Sequence, residues 1–441
     1  MSTMRESFHT RLGFILAAAG SAVGLGNIWG FPTQVANHGG GAFLLVYLVV
    51  IFVLAIPALY SEMLIGHHGR ANPVRSLAKL SEGKAQPVGA TMGFLNVIGS
   101  CLMLSFYHIV AGWMVVHALG YVASWLGLNV VADFLMTGSL TRDLLFTALF
   151  LCTTGWVVLQ GIENGIERWS KRLMPTLVVL LVGLIVYMGT LAGASDGFQV
   201  YLVPDFSQLT DPAIYLAAMG QAFFSLSIGL GGMMIYGSYL LPGAKLGKLS
   251  LSVAGLDTLI AFLAGLLIIP ALYAGIELGV NVTNGDELIG EGQLIFAVLP
   301  QLFASMGAVG PFVGFAFFTL LSIAALTSTI AQAEVPVSYL IEEMNLDRKK
   351  ATLLALATIA ILAFSLVIFF EPLFGWVVTA VTQFQLPISG IFYLLVVGWL
   401  WRKSNHLHTI AQGSFWLTAL RWHLRYICPV LMTLVFINTA F

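Results

Sequence analysis

The sequence predicts an all-α polytopic membrane protein, and three observations favour that class. Of its 441 residues, 59% are hydrophobic and only 9% are charged, a composition that soluble domains of this length do not have. Apolar runs of roughly 18 or more residues recur along the whole chain, and each is long enough for a membrane helix. The Lys and Arg residues are concentrated in every second loop between these runs, as expected for loops on the cytoplasmic side.

Eleven apolar segments, spans 1 to 11, are predicted to cross the bilayer. They cover residues 12–36, 42–66, 90–122, 144–162, 173–193, 214–240, 248–275, 309–342, 351–370, 375–401 and 417–440. A shorter amphipathic segment at 288–304 is expected to form an outer-loop helix or a re-entrant piece. We divide the chain into an N-terminal segment (1–11), spans 1–5 (12–193), spans 6–10 (214–401) and span 11 (417–441).

The positions of the charged residues predict the orientation. With the N-terminus in the cytoplasm, every Lys and Arg except Arg142 lies in an inner loop or at its edge, whereas Asp196, Asp205 and Glu277 lie outside. This distribution favours a multi-pass protein of a bacterial plasma membrane, with its C-terminus outside. The sequence contains no metal-ligand cluster, nucleophile–base pair or phosphate-binding loop, so an enzyme is not expected, and neither is a nucleic-acid partner.

Two spans carry the same short interruption. Span 1 reads Ala22-Val-Gly-Leu-Gly-Asn27, and span 6 reads Ser227-Ile-Gly-Leu-Gly-Gly232. Paired glycines allow a helix to open there and turn its backbone N–H and C=O groups toward a cavity, which is tolerated at that depth only away from lipid. Two such breaks in one chain are expected of a transporter built from two related halves. A lone Gly-Leu-Gly also occurs at tight helix contacts.

Three acids fall within the spans, where a charge is costly and tends to face a cavity or a partner. Asp257 is predicted to be functional, the alternative being a hydrogen bond that only stabilises the helix packing. Two roles stay open for Glu62, which are holding the backbone by hydrogen bonds and taking part in function. Glu334 precedes Pro336 in span 8 and is expected to face the inner vestibule rather than the substrate.

Hydroxyl groups in span 8 suggest a cation site. The segment Ala324-Ala-Leu-Thr-Ser-Thr329 places Thr327 and Ser328 where their hydroxyls can point at the break of span 1. Hydroxyl and carbonyl oxygens are the ligands that hard cations take. On its own, the Leu-Thr-Ser triplet is also common as packing between membrane helices.

Together these motifs resemble the neurotransmitter:sodium symporter family, most closely its short bacterial amino-acid transporters. The resemblance covers spans 1 to 10 and rests on three signatures. They are Arg11-Leu-Gly-Phe-Ile-Leu-Ala-Ala-Ala-Gly-Ser-Ala-Val-Gly-Leu-Gly-Asn-Ile-Trp29 with Asn37-His-Gly-Gly-Gly-Ala-Phe43, Gly220-Gln-Ala-Phe-Phe-Ser-Leu-Ser-Ile-Gly-Leu-Gly231, and Ala325-Leu-Thr-Ser328. The resemblance implies a leucine-transporter-type fold of two inverted five-helix repeats, spans 1–5 and 6–10, with helices 1 and 6 broken.

The resemblance also implies two sodium sites and a substrate site. The first sodium would bind Ala22, Asn27, Ser225 and Asp257, and the second would bind Gly20, Val23, Ala324, Thr327 and Ser328. The substrate would contact Ser21, Ala22, Gly24, Leu25, Gly26, Met103, Tyr107, Phe224, Ser225, Ser227, Leu230, Ser328 and Gln332. Its carboxylate would lie on the amides of Gly24–Gly26, because the N-terminus of a half-helix attracts an anion. An inner gate would use Arg5, Phe8, Tyr239 and Glu342.

Asp257 is expected to make transport independent of chloride. Animal members of the family usually have Asn at this position and bind chloride through a serine about one turn later, where this chain has Ala261. The fixed carboxylate of Asp257 would supply the negative charge that chloride supplies in those relatives.

The outer gate departs from the family pattern. The usual Arg after the aromatic residue of span 1 is replaced by Gly30, and span 10 lacks the partner acid. We expect closure through Tyr107 and Phe224, with Gln34 or Gln385 in place of the ionic contact.

The predicted function is sodium-coupled symport by alternating access of a neutral L-amino acid, hydrophobic or aromatic. A smaller polar zwitterion (glycine, a γ-amino acid, betaine or taurine) stays open, because Ser21 and Gln332 add polar groups to the side-chain pocket. Gln332 has the alternative of a structural hydrogen bond to Glu334 or to backbone. A non-transporting sensor and a proton-coupled transporter are rival hypotheses. The expected partners are the zwitterion and the lipid bilayer, and the protein is expected to be a monomer or a weak dimer.

Overall fold

The computed structural model describes residues 6–284, 287–288, 291–401 and 415–440, and these are almost entirely helical. The helices are α1 (Arg11–Ala22), α2 (Gly26–Asn37), α3 (Gly41–Gly69), α4 (Pro73–Leu80), α5 (Gly83–Trp125), α6 (Asn129–Met136), α7 (Leu140–Leu159), α8 (Ile162–Met188), α9 (Ala194–Leu202), α10 (Pro212–Ser225), α11 (Gly232–Ser238), α12 (Leu246–Glu277), α13 (Leu294–Ser305), α14 (Gly307–Glu343), α15 (Arg348–Ile368), α16 (Phe370–Leu400) and α17 (Thr418–Thr439). Two short strands, β1 (Thr283–Asn284) and β2 (Glu287–Leu288), pair antiparallel. The predicted all-α membrane fold is confirmed.

Nine of the described helices are long and apolar enough to cross a membrane, and α1 with α2 forms a tenth, bent span. The bend between α1 and α2 is 58°. The predicted span 6 corresponds to α10 and α11, which are separated by residues 226–231. The count of eleven spans therefore stays a prediction, since it requires α10 and α11 to cross the membrane together.

One end of the molecule, which we call the N-terminal face, gathers the chain start and several helix ends. Glu6 contacts Arg348 at the start of α15 and accepts a hydrogen bond from the backbone N–H of Ile162 at the start of α8. Asn72, just after α3, donates to Glu342 near the end of α14. These contacts place the starts of α8 and α15 and the ends of α3 and α14 at one face, and the orientation of that face in the membrane stays a prediction.

The start of the fifth span differs from the prediction. The sequence predicts span 5 at 173–193, with Arg168, Lys171 and Arg172 in the loop before it, whereas α8 begins at Ile162 and contains all three. Lys and Arg are good helix formers, and their long side chains keep the charged ends in water while the stems stay along the helix. The charges therefore do not end the helix.

The broken helices lie at the centre of the bundle. Helix α1 packs against α8, α12 and α14, and α5 packs along α14. Of the acids within the spans, Glu62 of α3, Asp257 of α12 and Glu334 of α14 are fully buried. The interior thus brings buried charge close to opened backbone.

Candidate functional site

A cavity lies between the two helix breaks. It is lined by all thirteen residues predicted to contact substrate, together with Leu104 and Thr329. The predicted lining residues are Ser21, Ala22, Gly24, Leu25, Gly26, Met103, Tyr107, Phe224, Ser225, Ser227, Leu230, Ser328 and Gln332. The elements that supply them are α1, α2, α5, α10, α14 and the two breaks.

The polar end of the cavity is formed by the break between α1 and α2. The backbone N–H of Leu25 donates to the Tyr107 hydroxyl at 3.1 Å, and that of Gly24 donates to Asn27 Oδ1 at 3.1 Å. A methyl group on Gly24 would lie 2.5 Å from the Tyr107 hydroxyl and 2.9 Å from Ser328 Oγ. A larger residue at this position would therefore force the Tyr107 or Ser328 side chain to shift. A carboxylate bound here would compete with Tyr107 for the Leu25 amide.

The first predicted sodium site is a compact polar cluster. Asn27 Nδ2 donates to Ser225 Oγ at 2.9 Å and to Asp257 Oδ1 at 2.8 Å, and Ser225 Oγ donates to Asp257 Oδ2 at 2.9 Å. All three side chains are buried. Among the described residues, no Lys or Arg pairs with Asp257 in an ion pair. A carboxylate in this position favours a bound cation, because a buried charge needs a counter-charge.

Cation binding at this cluster has a geometric requirement. As placed here, the Asn27 amide presents its nitrogen to Asp257 and Ser225, and its oxygen accepts the Gly24 N–H. The amide would have to turn its oxygen inward to coordinate a cation.

The second predicted site is rich in oxygen. Ser328 Oγ lies 3.0 Å from the carbonyl oxygen of Val23, 3.4 Å from that of Gly20 and 3.1 Å from that of Ala324. Thr327 Oγ1 lies 2.9 Å from the Ala324 carbonyl oxygen. A serine hydroxyl has one proton to donate, so it satisfies only one of three converging carbonyls at a time. The remaining lone pairs suit a hard cation.

The break between α10 and α11 is held differently, by a buried acid. Its backbone has positive φ angles at Ser227 (50°), Gly229 (105°) and Gly231 (82°). Glu62 of α3 accepts hydrogen bonds from Gly229 N at 3.1 Å and from Met234 N at 3.3 Å. Of the two roles open for Glu62 in the sequence, the structure therefore supports tying the backbone.

The side-chain end of the cavity contains one engaged amide. Gln332 Nε2 donates to Ser100 Oγ at 2.6 Å and to the Leu230 carbonyl at 3.2 Å. Its partners are thus a side chain of α5 and backbone of the second break, whereas Glu334 pairs elsewhere. Met103 and Leu230 supply apolar surface at the same end.

At the N-terminal face, a charge network lies beneath the cavity. Arg348 pairs with Glu334 at 2.7 Å and with Glu6 at 3.1 Å, and the Tyr239 hydroxyl donates to Glu334 at 2.7 Å. The predicted inner-gate residue Phe8 packs edge-to-face on Phe14 and Tyr236. The other predicted members are Glu342, which accepts hydrogen bonds from Asn72, and Arg5, which lies outside the described residues.

At the opposite face, aromatic rings lie near the cavity. Phe296 of α13 contacts Trp29 of α2 and Trp113 of α5 edge-to-face, with ring centroids 5.8 and 5.9 Å apart. We call Trp29, Trp113 and Phe296 the aromatic layer. Gln385 is not part of it, because its amide donates to the Leu95 carbonyl in the first half of α5 at 3.1 Å. The expectation that Gln385 replaces an ionic contact at the outer gate is therefore wrong.

Sequence reasoning missed several residues that support the site. Leu104 and Thr329 line the cavity but lie outside the three signatures. Arg348 carried no signal in the sequence, because a buried acid such as Glu334 can also be satisfied by backbone N–H groups, as Glu62 is. Ser100 and Phe296 carried no local signal, since their roles depend on packing between distant segments.

Comparison with known proteins gives consistent results. A profile of the Sodium:neurotransmitter symporter family matches residues 5–130 and 121–441. The chain is 29% identical to an uncharacterized sodium-dependent transporter of Haemophilus influenzae, over 99% of this chain and 98% of that protein. It is 30% identical to an uncharacterized sodium-dependent transporter of Methanocaldococcus jannaschii, over 98% of this chain and 89% of that protein.

A solved structure also matches almost the whole chain. The fold is similar to that of MhsT in complex with L-phenylalanine, with a TM-score of 0.84 and 38% sequence identity. The match covers 99% of this chain and 100% of that chain.

Proposed function

The chain belongs to the sodium:neurotransmitter symporter family and is a sodium-dependent symporter, and on that basis we propose that it imports a neutral L-amino acid with two sodium ions and without chloride. The proposed mechanism is alternating access. We place the protein in a bacterial plasma membrane with its N-terminal face in the cytoplasm, and we expect it to be a monomer or weak dimer. It also retains the predicted division into two inverted repeats, 12–193 and 214–401.

The observation that carries the proposal is the environment of Asp257. Its carboxylate is fully buried, receives hydrogen bonds from Asn27 and Ser225, and has no basic partner among the described residues. Bound sodium would neutralise this charge next to the backbone on which the substrate carboxylate is proposed to lie. Sodium and substrate would then bind cooperatively, because the positive charge of sodium attracts the negative carboxylate of the substrate.

The second sodium is proposed to control the N-terminal face. Its ligands would come from α1 and the following break (Gly20 and Val23) and from α14 (Ala324, Thr327 and Ser328). An ion shared by two helices stabilises the arrangement in which they lie together. Its release would therefore loosen α1, whose first residues lie near the network of Arg348, Glu334 and Glu6.

The driving force is sufficient for strong accumulation. Moving one charge through about 100 mV is worth roughly 2.3 kcal/mol. Two sodium ions with a zwitterion would therefore supply about 4.6 kcal/mol, or accumulation of about a thousandfold.

The substrate is proposed to be hydrophobic or aromatic. Met103 and Leu230 offer apolar surface at the side-chain end, and the amide nitrogen of Gln332 is engaged by Ser100 and Leu230. The bound L-phenylalanine of MhsT supports the same class.

An uptake panel in proteoliposomes tests the proposal. Radiolabelled L-phenylalanine, L-leucine, glycine, γ-aminobutyrate, betaine and taurine are offered with sodium or choline outside. We expect uptake of the first two in sodium only. Equal uptake in choline would refute sodium coupling, binding without uptake would indicate a sensor, and uptake restricted to the last four would move the substrate class to small polar zwitterions.

Chloride independence has its own test. Replacing chloride with gluconate is expected to leave uptake by the natural chain unchanged. Asp257→Asn is expected to lose sodium-coupled uptake, and the double change Asp257→Asn with Ala261→Ser to regain it in chloride but not in gluconate. Full uptake by Asp257→Asn in gluconate would show that this carboxylate does not supply the charge.

A further inference from the structure

A second cleft opens at the N-terminal face, away from the substrate cavity. Its volume is about 470 Å³, and its walls come from the end of α3, the connection between α11 and α12 with the first turn of α12, and the residue after α16. The residues that matter below are Tyr60, His68, Lys245, Gly247, Lys248 and Trp401. None of them lines the central cavity.

Two cations in this cleft have no neutralising partner. Lys245 and Lys248 are exposed, their ammonium groups form no ion pair or hydrogen bond within the described residues, and no Asp or Glu lines the cleft. Nearby basic residues differ, since Lys79 donates to the backbone carbonyl of His68 at 3.2 Å and Arg70 donates to that of Ser238 at 3.4 Å. The cleft therefore holds positive charge that the protein does not use itself.

The surroundings place this charge at the membrane boundary. The cleft is bordered by Tyr60 of the membrane helix α3 and by Trp401, directly after the membrane helix α16. The His68 ring packs edge-to-face on Trp401 with centroids 4.8 Å apart. Tyr and Trp are enriched where a membrane meets water, and basic pockets between membrane helices at that level bind anionic lipid headgroups.

We propose that this cleft binds the phosphate headgroup of an anionic phospholipid from the leaflet at the N-terminal face, with Lys245 and Lys248 as its cationic ligands. The phosphate diester supplies the missing negative charge, and the acyl chains extend along the apolar surface of α3 and α16. The wall at Gly247 stays open, because a methyl group added there would meet no atom within 4 Å.

Native mass spectrometry of the purified full-length chain tests the proposal, with phosphatidylglycerol or phosphatidylcholine added in detergent. We expect one retained phosphatidylglycerol and no comparable phosphatidylcholine. The double change Lys245→Gln with Lys248→Gln is expected to weaken phosphatidylglycerol binding about 30-fold. The control is Lys84→Gln with Lys349→Gln, which removes the same charge from two exposed lysines elsewhere and is expected to bind normally.

Two further arms separate a built site from general attraction. Gly247→Leu places a larger side chain at the wall of the cleft without changing charge and is expected to weaken phosphatidylglycerol binding. Inorganic phosphate at the same concentration as the lipid is not expected to displace phosphatidylglycerol, because the acyl chains contribute to the affinity of the lipid. Equal binding by the natural chain and the Lys245/Lys248 variant would overturn the proposal, and displacement by phosphate would assign the cleft to a free anion instead.

Discussion

The two helix breaks share a sequence motif but are stabilised in different ways. The break between α1 and α2 spans residues 23–25 and has no positive φ angle, and the carbonyls of Gly20 and Val23 converge on Ser328. The break between α10 and α11 spans residues 226–231, has three positive φ angles, and is tied by the carboxylate of Glu62.

This difference indicates a division of labour. At the second break, the carboxylate of Glu62 accepts hydrogen bonds from the freed N–H groups, so the shape of this break does not depend on a ligand. The first break leaves carbonyl oxygens that one serine hydroxyl cannot satisfy together, so its shape depends on what binds there. We expect α10 and α11 to act as the preformed wall of the site and α1 to respond to sodium.

The largest expected effect is on stability, and it follows from removing the Glu62 carboxylate that holds the second break. Glu62→Gln replaces one of the two carboxylate oxygens with an NH2 group. Because the N–H groups of Gly229 and Met234 bond to different oxygens of Glu62, one keeps an acceptor and the other faces a donor. Leaving that one donor unsatisfied costs about 1–3 kcal/mol, so we expect a lower unfolding temperature with and without sodium.

Thermal unfolding in detergent measures this change. Glu163→Gln on the exposed surface of α8 is the matched control and is expected to unfold normally. An unchanged unfolding temperature for Glu62→Gln would show that the second break does not depend on this carboxylate.

The next effect concerns space at the first break. Gly24→Ala places a methyl group against the Tyr107 hydroxyl and Ser328 Oγ. Overpacking costs about 1–3 kcal/mol, which predicts sodium-dependent uptake reduced by a factor of about 10 to 100. Gly220→Ala on α10 is the control, since its methyl group would meet nothing within 4 Å. Equal uptake by the two variants would remove the steric argument.

The smallest effect sharpens the role of sodium at the first break. Ser328→Ala removes one hydroxyl ligand and is expected to raise, by about tenfold, the sodium concentration needed to stabilise the protein. Ser322→Ala on the same helix is the control, because Ser322 Oγ donates only to the Phe318 carbonyl at 2.8 Å. If both variants respond to sodium like the natural chain, Ser328 is not a ligand.

The cavity followed from the sequence because short local motifs carry it. The Gly-Leu-Gly breaks and the Leu-Thr-Ser triplet place backbone and hydroxyl groups within a few residues of one another, and the family resemblance implied the lining residues outside these motifs, such as Met103, Tyr107 and Gln332. Partners on other helices were not predictable in this way. The contact between Gln332 and Ser100 depends on how α5 packs on α14.

Charged partners show the same limit. Glu334 was expected to face the inner vestibule, with no basic partner named, and Arg348, Lys349 and Lys350 are adjacent in the sequence. Only the phase of α15 selects Arg348. Gln385, given as the alternative to Gln34, was expected at the outer gate because span 10 lacks an acid, but the register of α16 turns its amide toward α5. Helix rotation and register arise from packing over the whole bundle, which single-sequence patterns do not contain.

The aromatic layer of Trp29, Trp113 and Phe296 has a consequence for the environment in which the protein works. Dissolved ions screen the attraction between exposed charges, so an ionic closure weakens in brine. Contacts between uncharged rings are not subject to that screening. We therefore expect an outer closure built from these rings to hold equally well in dilute and in saline surroundings.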